Sequence, residues 1–217
     1  MADSPESPDQ LILAALDLFG RNGFEGASTR AIARAAGKPM SAITYHFGGK
    51  EELYVAVAAY ISQRIGTQLA QAIETAEAAR EDDSPAEARA QIRRIFSALV
   101  TMFVQKESAA WARFIVREQM EPTRAFDALY NGRMGPMLHH ISRMLCRVAS
   151  HRIGADEARL RVIAMFGQAL VFRVSRAVVL RSNGWDDIGP AETEQIRRVV
   201  LTQVDAILDS LAAKDEA

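Results

Sequence analysis

Cysteine is nearly missing from this chain: Cys146 is the only one in 217 residues. That excludes an internal disulfide framework, removes the basis for a cysteine-built metal site, and fits a reducing cytoplasm. Long apolar runs are missing too. A membrane span needs about 18 uninterrupted apolar residues, and even the richest region, Leu160 to Leu180, is broken by Arg173 and Arg176. No positively charged start leads into an apolar stretch, so neither a secretory leader nor a membrane partner is expected, and the chain is expected to be cytoplasmic. Net charge is also scarce, at -1, which argues against indiscriminate binding to polyanions. Catalytic signatures are absent: there is no phosphate-binding glycine loop, nucleophile elbow or zinc-protease pattern. His139 and His140 with Cys146 and His151 make a poor metal set, because adjacent histidines on a helix diverge by about 100° and only His139 and Cys146 share a face. No metal, cofactor or enzymatic activity is expected.

What is present is helix. A hydrophobic content of 49% supplies a core, and punctuation and periodicity both read all-α with no alternating strand pattern. Ser7-Pro8-Asp9-Gln10 is a capping box opening a first helix with Leu11, Ile12, Ala15, Leu16 and Phe19 on one face, closed at Gly23. A second helix runs from Thr29 to Ala36, capped by Ser28 and stopped by Gly37, and a third from Pro39 to Phe47, ending at Gly48-Gly49. From Lys50 a helical pattern continues for almost thirty residues, about 45 Å. Ser84-Pro85-Ala86-Glu87 is a second capping box, opening a helix to Gln105; another spans Ser108 to Met120. Thr123 to Ala149 contains Gly132, Gly135 and Pro136 and is expected to kink. Two long helices follow, Asp156 to Arg181 and Pro190 to Ala213, giving about nine in all. The polar first six residues are expected to be disordered.

Charge divides unevenly along the chain. Residues 1–25 carry Asp3, Glu6, Asp9, Asp17 and Glu25 against Arg21, a net of -4, whereas residues 26–50 carry Arg30, Arg34, Lys38 and Lys50 and no acid, a net of +4. The cationic stretch has a distinctive spacing: counting Thr29 as one, Ile32 and Ala33 fall at four and five, Ala36 and Gly37 at eight and nine, and Ile43 at fifteen. This is helix-turn-helix spacing: a small residue where helices cross closely, a glycine able to take positive φ in the turn, and an apolar seam of Ile32, Ala36, Ile43 and Phe47 against Phe19 and Phe24. The third helix then presents an outward face to a major groove, while the start of the second helix and the flanking cations meet phosphates. Arg30 and Arg34 read either as phosphate contacts or as solvated helix charges.

Gly23-Phe24-Glu25, Ser28-Thr29, Ile32-Ala33, Ala36-Gly37 and Ala42-Ile43-Thr44-Tyr45-His46-Phe47-Gly48-Gly49-Lys50-Glu51-Glu52-Leu53 together resemble the TetR family of bacterial transcriptional regulators over residues 9–57. The remainder, including Phe126 to Tyr130 and Phe166-Gly167-Gln168 through Gly189, looks like the subgroup with a CerR-type C-terminal domain. The resemblance implies a nine-helix homodimeric repressor: a DNA reader over 1–50 and a ligand-binding and dimerisation domain over 51–217. Carried onto this sequence, phosphate contacts fall on Thr29, Tyr45, His46 and Lys50, and base or groove contacts on Lys38, Pro39, Met40, Ser41 and Thr44. Two positions depart from the family pattern: Lys38-Pro39 after the turn glycine, and Thr44 where an aromatic is usual. Pro39 suits a first helical turn but donates no N–H, and Lys38 can replace that contact with charge. Met40 and Thr44 offer methyl groups that suit thymine.

For a small-molecule effector, Trp111, Phe114, Met120, Tyr130, Met134, Met137 and Phe166 are candidate apolar lining, with Arg117, His139 and Gln168 as orienting polar groups. Each competes with plain core packing. Arg173 and Arg176 would need acidic partners such as Glu118, Glu121 or Asp127. The last two helices carry more apolar surface than one core requires, so Leu170, Val174, Val178, Val200, Val204, Ile207 and Leu211 are the expected dimer interface. The expectation is a ligand-responsive repressor whose partners are a palindromic double-stranded operator, an effector and a second copy of the chain. The alternatives are an all-α ligand-binding or metal enzyme, and a protein-interaction adaptor.

Overall fold

Helices begin and end where side chains or glycines take over the backbone hydrogen bonding. The computed structural model describes residues 9–77 and 84–212, with no strand among them. In chain order the helices are α1 (Asp9–Gly26), α2 (Thr29–Ala35), α3 (Ser41–Phe47), α4 (Lys50–Glu77), α5 (Pro85–Val104), α6 (Ser108–Met120), α7 (Arg124–Leu129), α8 (Gly135–Val148), α9 (Ala155–Val174), α10 (Arg176–Asn183) and α11 (Pro190–Ala212), with a π-helical turn at Tyr130–Met134. The capping-box residues Ser7 and Pro8, the disorder expected over 1–6, and Ala213 lie outside the described residues.

The second capping box is complete: Ser84 Oγ accepts from the Glu87 N–H at 3.3 Å, and Glu87 Oε2 accepts from the Ser84 N–H at 2.8 Å. Three boundaries differ from the expectation. Gly23, at φ 73 and ψ 178, kinks α1 rather than ending it. Pro39 lies in the turn, and α3 starts two residues later at Ser41. The helix expected over 156–181 is broken at Ser175, where α9 and α10 meet at 71°. No single helix among the described residues is long and apolar enough to cross a membrane.

Packing divides the chain into two compact units. The first comprises α1 to α3, α4 up to Ile65, α6 from Ala109, α7 and the π turn; the second comprises the rest of α4, α5 and α8 to α11. The first unit thus draws on two separate stretches of the chain, 9–65 and 109–134.

The first unit is built on Leu11, Phe19, Ile32, Ile43, Leu53 and Phe114, all essentially fully buried and each contributing about 1.5–3 kcal/mol of transfer free energy. In the second, Ile92, Ile95, Phe96 and Leu99 of α5 are buried where α8, α9 and α11 pack on it. Arg89 reaches Asp205 at 3.1 Å and also Asp209, and Arg93 reaches Asp205, so charge pairs fix the register of α5 against α11.

Two arginines find their partners here. Arg173 is buried, and its Nε and Nη2 donate to the carbonyls of Phe103 and Gln105 at the C-terminal end of α5, which also accept from the Ser108 hydroxyl and where a cation complements the helix dipole. Arg176 pairs with Asp187, which Lys106 also approaches at 2.6 Å. The Lys106 hydrogen bond, followed by one from the Ile188 N–H, pulls the Asp187 carboxyl down to about 2.

Candidate nucleic-acid interface

The turn between α2 and α3 is a Schellman closure. Gly37 takes φ +64, its N–H donates to Arg34 O at 3.2 Å, and the Lys38 N–H donates to Ala33 O at 2.9 Å. With Lys38 N–H committed to the cap and Pro39 lacking one, neither residue offers a backbone donor to a phosphate. Lys38 contributes its side chain alone, and it is half-buried. At the other end of α2, Ser28 Oγ caps by accepting from the Ala31 N–H at 3.1 Å, which leaves Thr29 half-buried in the first turn.

Periodicity sorts α3 into two faces. Ile43 is buried against the seam and Phe47 half-buried, so the opposite face is outward: Pro39, Met40, Ser41, Thr44, Tyr45 and His46 are all exposed, Tyr45 by 85% and Met40 by 55%. Tyr45 packs edge-on against the His46 ring, with centroids 4.9 Å apart. Lys50 Nζ sits 4.4 Å from the centroid of the Phe24 ring, a cation–π contact that holds the first residue of α4 beside the kink in α1. Two large apolar side chains left in solvent next to a buried seam are what a surface made for another molecule looks like.

The same unit holds a cluster around Tyr54 and Glu118 that sequence reading missed. Tyr54 of α4 packs with Phe19, Phe24 and Phe114 at centroid distances of 4.8, 5.1 and 4.6 Å. Its hydroxyl donates to Glu118 Oε1 of α6 at 2.7 Å. Glu118, 1% exposed, also accepts from the Thr123 N–H at 3.1 Å and the Thr123 hydroxyl at 3.0 Å. Burial first, and then the hydrogen bond and charge of Glu118, drive the Tyr54 pKa well above the usual phenol value. The signal was legible: Trp111, Phe114 and Glu118 share one face of α6, and a carboxylate on a buried stripe requires donors. Arg117 lies over Gly23, and Arg113 reaches Asp17 at 3.5 Å.

The effector candidates scatter. Phe114 is spent on Tyr54, Arg117 on the α1 kink, and Phe166 packs on Phe96 at 5.5 Å. Met120 is 79% exposed, and Tyr130 and His139 are exposed as well. Trp111 is buried, and Met134, Met137 and Gln168 are half-buried. The interface candidates split as well. Val174 and Val178 are exposed, and Leu170 and Ile207 are half-buried. Val200, Val204 and Leu211 are buried within the chain itself, where α11 packs on α5, α8 and α9.

A kinked first helix, a glycine-closed turn and a short helix with a solvated outer face define a helix-turn-helix DNA-binding protein. Residues 11–57 match the family described as bacterial regulatory proteins, tetR family, and residues 88–211 match the C-terminal domain of the HTH-type transcriptional dual regulator CecR. The CecR regulator of Shigella flexneri is 33% identical over 211 residues, covering 96% of this chain and 94% of that protein. Among solved structures, a TetR-like transcriptional regulator from Rhodococcus sp. RHA1 superposes with a TM-score of 0.60 at 21% identity, covering 95% of this chain and 96% of that one. FadR from Bacillus subtilis, in complex with stearoyl-CoA, gives 0.61 at 14% identity, covering 95% and 98%. The chain belongs to the TetR family of transcriptional regulators, with a C-terminal domain of the CecR type, the subgroup given above under the label CerR. It is a regulator and not an enzyme.

Proposed function

We propose that the chain is a repressor that binds a near-palindromic operator as a homodimer and is released from it by a small molecule. The exposed outer face of α3 carries this reading, because Ile43 anchors the helix while Met40, Thr44 and Tyr45 are exposed to solvent. Thr29, Tyr45, His46 and Lys50 are assigned to phosphates, and Lys38 to Ser41 and Thr44 to the groove. DNA reading is assigned to residues 1–50, and effector binding and dimerisation to residues 51–217.

Pairing is supported by a second exposed face. Leu160, Ile163, Val171 and Val174 follow helical spacing along α9, exposed over about 21 Å, and Val178 of α10 is 65% exposed. To enter successive major grooves together, the two α3 helices of such a dimer must lie about 34 Å apart, one turn of DNA. Release requires an effector with different affinity for the two reader separations, since one that binds both equally shifts nothing. The Tyr54–Glu118 and Phe114 contacts support α6 as the intermediary: displacing it disturbs α1 and the start of α4 together, where Lys50 and Leu53 join the reader. A mobility shift of the DNA flanking its own gene tests the reading. A discrete complex of two chains per duplex is expected, and equal affinity for unrelated DNA refutes it. The CecR relative is named a dual regulator, which favours a second reading in which the chain also activates; reporter expression that falls in a deletion strain would select it.

A further inference from the structure

The groove-facing helix is defined as much by the side chains it lacks as by those it carries. Arginine and lysine read guanine, and asparagine and glutamine read adenine, through paired hydrogen bonds that discriminate about fivefold to more than a hundredfold per base. None of these four residue types occurs from Met40 to Phe47. The groups α3 turns outward are the Met40 side chain, the Ser41 hydroxyl, the methyl and hydroxyl of Thr44, the Tyr45 ring and the His46 imidazole. A serine or threonine hydroxyl bonds to any base and so discriminates weakly. Tyr45 and His46 lean on each other and are already assigned to the backbone. Lys38 is the one cation of the segment, but it precedes the helix, half-buried at the Schellman turn. What remains for direct readout is apolar: Met40 and the Thr44 methyl, four residues apart and therefore on one face.

We propose that this protein distinguishes its operator chiefly by the 5-methyl groups of thymines packed against Met40 and Thr44, and not by paired hydrogen bonds to purines. This rests on the reading of α3 as the groove helix and names the base chemistry it selects. A thymine methyl buried in such a contact is worth about the transfer of one CH₂, roughly a fourfold change in affinity. Sites read this way tolerate guanine and adenine changes outside the contacted steps, except where DNA shape alters.

The test uses the full-length protein and the duplexes it enriches from a randomised library. In those duplexes deoxyuridine replaces thymidine one position at a time, which removes only the methyl; 7-deazaguanine and 7-deazaadenine replace the purines, which removes the N7 acceptor. The expected result is a loss of about fourfold at one or two thymines of each half-site and less than twofold at every deazapurine. Thr44→Ser, which keeps the hydroxyl, should abolish the uracil penalty at one of those positions, and Thr44→Val, which keeps a methyl, should preserve it. Deazapurine losses exceeding the uracil losses, or a Thr44→Ser protein with the full uracil penalty, overturn the proposal. Failure to enrich any sequence overturns the DNA reading itself, whereas enriched duplexes indifferent to uracil overturn this proposal alone.

Discussion

Removing one oxygen from Tyr54 should destabilise the first unit by about 1.5–3 kcal/mol, the worth of a hydrogen bond to a charged group. The ring of Tyr54→Phe keeps its packing against Phe19, Phe24 and Phe114, so the change isolates the 2.7 Å bond to Glu118. Glu118 has no water to turn to at 1% exposure and retains only the two donors of Thr123. At this chain length 1 kcal/mol shifts the melting temperature by about 2–4 °C, so a fall of roughly 3–12 °C is expected by calorimetry. Glu118→Ala should lose more, because it strands the Tyr54 hydroxyl and both Thr123 donors, and the double variant should show positive coupling of about 1 kcal/mol or more. There is a pH signature of defined sign. Folding raises the Tyr54 pKa, so the folded state holds the phenol proton more tightly than the unfolded state, whose pKa is near 10. That contribution is complete below about pH 10 and is lost as pH rises beyond it, and Tyr54→Phe should flatten the alkaline decline. A Tyr54→Phe protein within about 0.5 kcal/mol of the parent, or strict additivity in the double variant, would refute the reasoning.

Ile163→Asp, on the exposed face of α9, should give a folded monomer by sedimentation, whereas Val204→Asp places a carboxylate where the parent is 0% exposed and should unfold the second unit; a folded monomeric Val204→Asp would contradict the assignment of the two faces. Lys50→Ala should weaken binding to all duplexes alike and reduce the salt-dependence slope by about 0.9, and an unchanged slope would remove Lys50 from the phosphate contacts. Gly23→Ala should cost about 1–3 kcal/mol, since φ 73 with ψ 178 is a glycine conformation and an added Cβ would meet Arg117 Nη1 at 2.8 Å; a neutral substitution would show that the kink relaxes.

Much of the fold was legible because its punctuation is local. Ser28, Gly37, Gly48 and the Ser84–Glu87 box act on the backbone within a few residues, and each is found in the role its chemistry prescribes. The outer face of α3 was legible for the same reason, since Ile43 sets the phase of a seven-residue helix. What the sequence withheld is tertiary. The break at Ser175 involves neither glycine nor proline, so nothing local announces it. Two apolar stripes along the last helices were visible, but periodicity cannot say which stripe faces the chain's own α5, and Val200, Val204 and Leu211 are buried on that side. Arg173 invited a search for acids because backbone carbonyls at a helix end leave no mark in composition. Exposed Met120 shows the converse: an apolar residue at helical spacing is not thereby inside.

The central claim is that two copies of the outer face of α3 enter one duplex together. Hydroxyl-radical footprinting of the full-length protein on an enriched duplex measures this directly. The account predicts two protected patches on one face of the DNA, centred about one helical turn apart, and one dimer per duplex at saturation. A single patch, or protection that persists after Met40, Thr44 and Tyr45 are all replaced by alanine, would contradict it.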